Sequence, residues 1–379
     1  KGFSLYTPNT SNAEAASGMF GSGSGWVIIA SNQDAAHTVI DRIIGGGDNL
    51  GDQQAFKDAT SNLPSNHFGT YYINMRQLLN SAVSVKAPNG LAGISVPFIE
   101  SYPTAGGYLT WTNNGERSQI TFNAVRNPNI PDVSGDTTGF ASLVPSDAVA
   151  YAGVGNLGKL VQAFTAQFGT IATGSDPLKS AIGISTSDPL AQQPAGLAAL
   201  KTSNGRTQSA FFIRLGNDAS ATQLVNEIAT ARNWTTKATS VAGQPATAFY
   251  ESTVNGEPNG TPPPTNGTAT GPTRIVAVAM TLNHTLVIAP DANSATVIAN
   301  VAQGSTSNLA SNATFQKMVK AAPSGAAITG YVSATALQQL THVSSASAAG
   351  LFSHFDVMAL TLVWNNSMLQ GTLDAGLHS

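Results

Sequence analysis

A chain of 379 residues with 42% apolar content is large enough for two domains with ordinary cores. Only 10% of the residues are charged and the formal net charge is −3, so there is no electrostatic footprint for nucleic acid and no polybasic patch for a membrane surface. With no cysteine, neither a disulfide framework nor a thiolate metal site can form.

An average soluble protein carries about 25% charged residues. Here Gly, Ser, Thr, Asn and Ala take their place, giving a neutral polar surface that is common outside the cell and unusual in a cytosolic enzyme. No apolar run approaches the roughly 18 residues needed to span a bilayer. The first residue is Lys, which is expected to be a processed or truncated start.

In chain order, Gly2–Tyr6 predicts a short strand, Asn9–Gly25 a polar glycine-rich connection and Trp26–Ala30 a buried strand. Ala36, Val39, Ile40, Ile43 and Ile44 fall on one face of a helix that Gly45–Gly47 ends. Asp52 is the expected N-cap of a second helix carrying Phe56, Ala59 and Leu63, which Pro64 stops. Tyr71–Met75 reads as a strand and Gln77–Val83 as a short helix. Gly107–Thr112 and Ser118–Val125 form a hairpin around Asn113-Asn114-Gly115.

Residues 127–138 carry two prolines and no periodicity, which marks a linker. Beyond it, Val149–Ala152 predicts a strand, and Leu157, Leu160, Val161, Phe164 and Phe168 a helix. Gly169–Gly205 reads as irregular with short helices. Phe211–Leu215 is a strand, followed by a helix facing inward with Leu224, Val225, Ile228 and Ala231. Ala246–Tyr250, Arg274–Thr281 and Thr285–Ala289 are strands, and 254–273 is a low-complexity loop too poor in apolar residues to pack. A hairpin of Met358–Trp364 and Met368–Leu373 closes the chain.

A shift of 259 positions lays Val27–Leu79 on Leu286–Gln338 without a gap. Ile29, Ala36, Asn49, Leu50, Phe56, Pro64, Tyr72 and Leu78 meet identical residues there, and swaps such as Val39/Ile298 keep the apolar pattern. Trp364 answers Trp111, and Tyr6 is aligned with Tyr250. The expected fold class is α+β: a duplicated domain with largely antiparallel sheets flanked by helices, the first copy N-terminally incomplete. The domains are then 1–126, a linker at 127–138, and a complete second copy at 139–379. Gly139–Gly243 has no counterpart before Lys1.

Leu143-Val-Pro-Ser-Asp-Ala-Val-Ala-Tyr151, Asn308-Leu-Ala-Ser-Asn-Ala-Thr-Phe315 and the Pro323–Tyr331 segment resemble a large bacterial domain-of-unknown-function family. The resemblance implies an exported or membrane-anchored envelope protein of two related halves, located outside the cytoplasm, with no activity to carry over onto residues.

Chemical motifs are sparse. Gly153-Val-Gly-Asn-Leu-Gly158 has the strand-to-helix context of a dinucleotide site, but only Asp176 stands where its acidic partner belongs, inside a turn sequence. It is read as a tight turn. Asp48-Asn-Leu-Gly-Asp52 resembles part of a calcium loop, yet its counterparts Ser307–Ser311 keep capping chemistry and lose both charges. The six histidines are scattered. No catalytic, cofactor-binding or metal-binding residue is assigned and no cofactor is expected. The expectation is an extracellular or cell-surface, non-enzymatic structural or interaction protein, self-associating or meeting another envelope protein, with no nucleic acid partner. The alternatives are an extracytoplasmic binding protein for an apolar ligand or peptide, and a hydrolase.

Overall fold

The computed structural model describes residues 2–6, 19–23, 26–30, 33–45, 49–60, 63–75, 77, 102–112, 115–123, 131–168, 176–201, 207–217, 219–251, 274–320, 325–333, 336, 355–365 and 368–377. The expected helix at Gln77–Val83, apart from Gln77, and the loop 254–273 lie outside them. Two compact units divide the chain at Ser61/Asn62 by density of contacts. That partition differs in kind from the sequence boundary at 127–138.

In the first unit, β1 (Ser4–Tyr6), β2 (Met19–Gly23) and β3 (Trp26–Ala30) form an antiparallel sheet on which α1 (Gln33–Ile43) packs. A 3-10 turn at Leu50–Asp52 and α2 (Gln54–Thr60) follow. The glycine-rich stretch expected as a connection thus contains a strand. Its glycines suit close strand contact: a Cβ at Gly23 would strike the backbone of Gly2 and Phe3. The expected cap at Asp52 is also corrected. Asn49 caps the 3-10 turn by accepting from Asp52 N at 3.1 Å, and Asp52 lies inside that turn.

The second unit is one 13-stranded antiparallel sheet with helices on it. Its strands are β4 (His67–Asn74), β5 (Thr104–Thr112), β6 (Gly115–Asn123), β7 (Ala150–Val154), β8 (Ala195–Lys201), β9 (Thr207–Arg214), β10 (Trp234–Val241), β11 (Gln244–Glu251), β12 (Arg274–Leu282), β13 (Thr285–Ala289), β14 (Ile328–Ser333), β15 (Phe355–Trp364) and β16 (Met368–Leu377). Their order is β10-β11-β12-β13-β9-β8-β7-β14-β15-β16-β6-β5-β4. The helices are α3 (Leu157–Phe168), α4 (Pro177–Ile182), α5 (Ala219–Arg232), α6 (Ala292–Ala302) and α7 (Ala313–Lys320). Mixed helices with antiparallel pairing make the fold α+β, as the sequence pattern implied.

Alternation along the strands sends side chains to two cores. Phe212, Val278, Met280 and Val287 join Ala295 and Ile298 of α6 and Phe315 and Met318 of α7 on one face. Ile213, Ala277, Ala279 and Leu286 join Leu178 of α4 and Leu224, Val225 and Ile228 of α5 on the other. β12 and β13, covered on both sides, therefore read as unbroken apolar runs.

Two strands escape the sequence pattern. β8 (AGLAALK) lies in the stretch expected to be irregular, and β10 (WTTKATSV) was not anticipated. Ala, Leu and Lys favour helix, so tertiary pairing decides β8. β10 pairs with β11 from Trp234↔Glu251 to Val241↔Gln244 and faces solvent with almost every residue.

The 259-position shift carries whole elements. β3, α1, the 3-10 turn and the start of α2 land on β13, α6, the 3-10 turn Leu309–Ser311 and the start of α7. Asn308 caps its turn from Ser311 N at 2.9 Å, with backbone angles close to those of Asn49. The Tyr6/Tyr250 alignment is corrected by register. Tyr6 faces Phe20, and the position shifted by 259 from Phe20 is Ala279, which faces Thr247. Trp111 and Trp364 do match: they pair with Glu116 and Leu369 in the same place in their hairpins.

β6 and β16 then pair so that Gln119 faces Thr372, its own counterpart at the Trp111/Trp364 offset. The β4-β5-β6 and β14-β15-β16 meanders thus meet about a local two-fold.

Phe315 is 3% exposed and packs edge-on against Tyr151 and Tyr331, at 5.9 and 5.3 Å between ring centres. Phe56, its counterpart at the 259-position shift, is only half-buried. Phe315→Ala should cost about 3–5 kcal/mol in urea unfolding, and Phe56→Ala well under that. β11 and β12 pair up to Glu251↔Arg274, so 252–273 connects two aligned strand ends. Halving that connection should change stability by no more than about 1 kcal/mol by the same measurement.

Candidate functional site

The sequence segments from Leu143, Asn308 and Pro323 come together. Pro145 bridges Asn308, Leu309 N donates to Val144 O at 2.7 Å, and Tyr151 faces Tyr331 across β7 and β14. Tyr151 donates to Thr137 O at 2.8 Å, and its phenol is pushed up by burial and then by the nearby Asp136. Beside this node opens a cleft of about 340 Å³ lined by Ser146, Asp147, Lys201, Asn312, Tyr331 and Ser333 among others. Burial raises the Tyr331 phenol, and the buried Ser333 hydroxyl has no hydrogen-bond partner among the described residues.

A larger cleft of about 500 Å³ lies between α5 and strands β10–β12. Its walls include Val225, Asn226, Thr236, Thr247, Met280 and Thr281, and none of the described residues lining it is titratable. A third, of about 440 Å³, runs between α4 and α5 past Lys179, Gln223 and Glu227. Hydroxyls, amides and methyls in such walls can hold a neutral or apolar chain.

The described histidines stay apart. His37 is exposed on α1, His67 Nδ1 lies 2.5 Å from Pro64 O, and His284 sits in the β12–β13 turn. None of them lines these three clefts, and His342, His354 and His378 lie outside the described residues. Among the described residues no group of three or more His, Asp or Glu is placed to hold a metal ion.

The Gly153–Gly158 loop is filled by protein. A Cβ at Gly153 would strike Thr137 O, one at Gly155 would strike Gly135, and one at Gly158 would strike Gln192. Asn156 caps α3 by accepting from Lys159 N at 2.8 Å and donates to Gln192 O at 2.8 Å. These glycines serve close backbone packing.

A family model described as "Protein of unknown function (DUF3352)" matches residues 1–339. The chain belongs to this family. No curated protein and no solved structure matches it. Among the described residues of this DUF3352 protein, no helix is long and apolar enough to cross a membrane.

One polar hub escaped the sequence reading. Asp176 is the N-cap of α4, accepting from Leu178 N at 3.0 Å and Lys179 N at 3.3 Å. It also accepts from Ser185 Oγ at 3.0 Å and from Thr186 N at 2.6 Å and Thr186 Oγ1. The Asp176-Pro177 step was the available signal, because proline is favoured at the first helical position after a cap. Burial pushes its carboxyl up, but the donors from Thr186, Ser185 and Lys179 outweigh that and hold it at about 2, against 3.8 ordinarily. The folded value lies below the unfolded one. The stabilisation is therefore complete above about pH 4 and fades as pH falls towards 2. Water reaches Asp176 and screens its carboxylate, so Asp176→Ala should cost no more than about 1 kcal/mol at pH 7, the size of a lost helix cap, and thermal scans should show the gap to wild type narrowing between about pH 4 and 2.

Proposed function

We propose that this DUF3352 protein is an extracellular, non-enzymatic structural or interaction protein of a bacterial cell envelope, built by duplication of one α+β unit and partnered by its own copies or another envelope protein. The observation that carries the reading is the neutral wall chemistry of the 500 Å³ cleft, whose described residues are Ala, Thr, Val, Met, Asn, Pro and Leu. The neutral surface supports it, with 10% charged residues in the whole chain. The coincident element boundaries and the Gln119/Thr372 pairing support the duplication.

Antibody detection in fractionated native cells should place the protein with envelope material, and light scattering on that material should report its assembly. Recovery in the cytosol together with turnover of ester or peptide substrates would overturn the proposal.

The same cleft favours a second reading, a binding protein for an apolar ligand or peptide. Saturable uptake of a fluorescent fatty-acid analogue, abolished by Thr281→Trp in the cleft wall, would favour it over the structural role.

A further inference from the structure

The 340 Å³ cleft beside the Tyr151–Tyr331 node holds polar groups that the fold leaves unused. Its floor is built from Tyr331 and Ser333 of β14, Val149 just before β7 and Val357 of β15. Tyr331 is 5% exposed, and burial is the one cause that shifts its phenol, so no hydrogen bond offsets the lost water. The Ser333 hydroxyl is likewise buried without a partner among the described residues. A buried hydroxyl in that state has given up its bonds to water for nothing in return, and native chains rarely leave two on one strand.

Most neighbouring polar groups are already spent. Asn312 accepts from Phe315 N at 3.0 Å and donates to Ser146 O at 3.1 Å, and the Ser146 and Ser307 hydroxyls bond to each other. The start of α7 and two charges remain. Asn312 takes the amides of Phe315 and Gln316, which leaves those of Ala313 and Thr314 as the open donors of the first turn, where the helix dipole favours an anion. Thr314 lines the cleft. Lys201, the last residue of β8, and Asp147 line it too. Both are exposed, and neither side chain has an ion pair or hydrogen bond among the described residues.

We propose that this cleft binds a small aliphatic α-amino acid as its zwitterion. Lys201, the first turn of α7 and the hydroxyls of Tyr331 and Ser333 receive the carboxylate, and Asp147 receives the ammonium. Donors outnumber acceptors here, as a carboxylate with two oxygens to satisfy requires. Asp147 disfavours a plain anion and supplies the one carboxylate that an ammonium needs. The Tyr331 phenol stays protonated at neutral pH, so it remains a donor. Val149 and Val357 offer an apolar wall to the side chain. The volume lies at the small end of ligand clefts, which run from about 300 to 1,000 Å³.

This cleft is separate from the 500 Å³ one, and the inference goes beyond the proposed role without resting on it. Isothermal titration of the full chain with L-alanine, L-valine and L-leucine tests it, beside the amide and N-acetyl forms of each and inorganic phosphate. At least one of the three should bind saturably, and capping either of its ends should weaken binding at least about tenfold. Lys201→Met and Asp147→Asn should each weaken it by a similar factor at an unchanged melting temperature, because both side chains are exposed. Tyr331→Phe should weaken it as well. In Asp147→Asn the N-acetyl form should bind as well as the free amino acid.

Saturable binding of none of the three overturns the proposal, and so does an amide or N-acetyl form that binds wild type as well as the free amino acid. Phosphate competing at equal strength overturns it in favour of a plain anion site. Amino-acid binding that survives Lys201→Met and Asp147→Asn but is lost in Thr281→Trp places the ligand in the larger cleft and overturns it too.

Discussion

The backbone ladder between β6 and β16 joins the two meanders of the large unit into one sheet. It runs from Asn123↔Met368 to Glu116↔Ala375 without a break in register. A three-stranded meander is near the lower limit of independent stability, and joining two of them removes an unpaired edge from each. Because side chains alternate with a period of two, a slip of one residue would turn every side chain of a meander to the opposite face. The register that brings Gln119 opposite Thr372 is the one in which each meander meets the other in the same relation. On this reading the junction is a contact of the kind made by two-fold dimers, held within one chain.

Much of this was legible in the sequence because it rests on local pattern. The α1 stripe, the apolar runs of β12 and β13, the hairpin turns and the 259-residue correspondence are written in residue type and spacing. The elements that were missed depend on partners distant in sequence. β8 is an alanine-rich strand held by β7 and β9, and β2 is a glycine-rich strand held by β1 and β3. Their residues do not favour a strand on their own. The polar hub at Asp176 was half legible: its cap follows from Asp-Pro, but the tether to Ser185 and Thr186 needs the fold of the following loop.

Burial was the least legible property. Trp111 and Trp364 hold equivalent hairpin positions, yet one stacks on Phe68 in solvent and the other donates from Nε1 to the Tyr102 hydroxyl at 3.0 Å inside the structure. Sequence periodicity tells which face of an element is apolar. It does not tell whether anything lies against that face. The G-x-G-x-x-G loop teaches the same lesson in reverse. Its pattern fits a phosphate cradle, but a cradle requires empty space above the glycines. Here the backbone around Gly135 and Thr137 occupies that space.

The scarcity of charge has a structural counterpart in how the helices and turns are finished. Asn49 and Asn308 cap the two equivalent 3-10 turns, Asn156 caps α3, and Asn312 accepts from Phe315 N at 3.0 Å at the start of α7. Asp291 caps α6 through Ser294 N at 2.8 Å, and donors from Ser294 and Gln208 hold its carboxyl low against the upward push of burial. The orphan amides at a helix start need an oxygen, and a neutral asparagine supplies one as well as a carboxylate does. Such short-range bonds are little screened by salt, unlike surface ion pairs. Arg214 and Asp136 approach only to 4.0 Å with both side chains well exposed. The asparagine- and serine-rich composition that reads as a neutral surface is thus also the means by which this chain satisfies its own backbone.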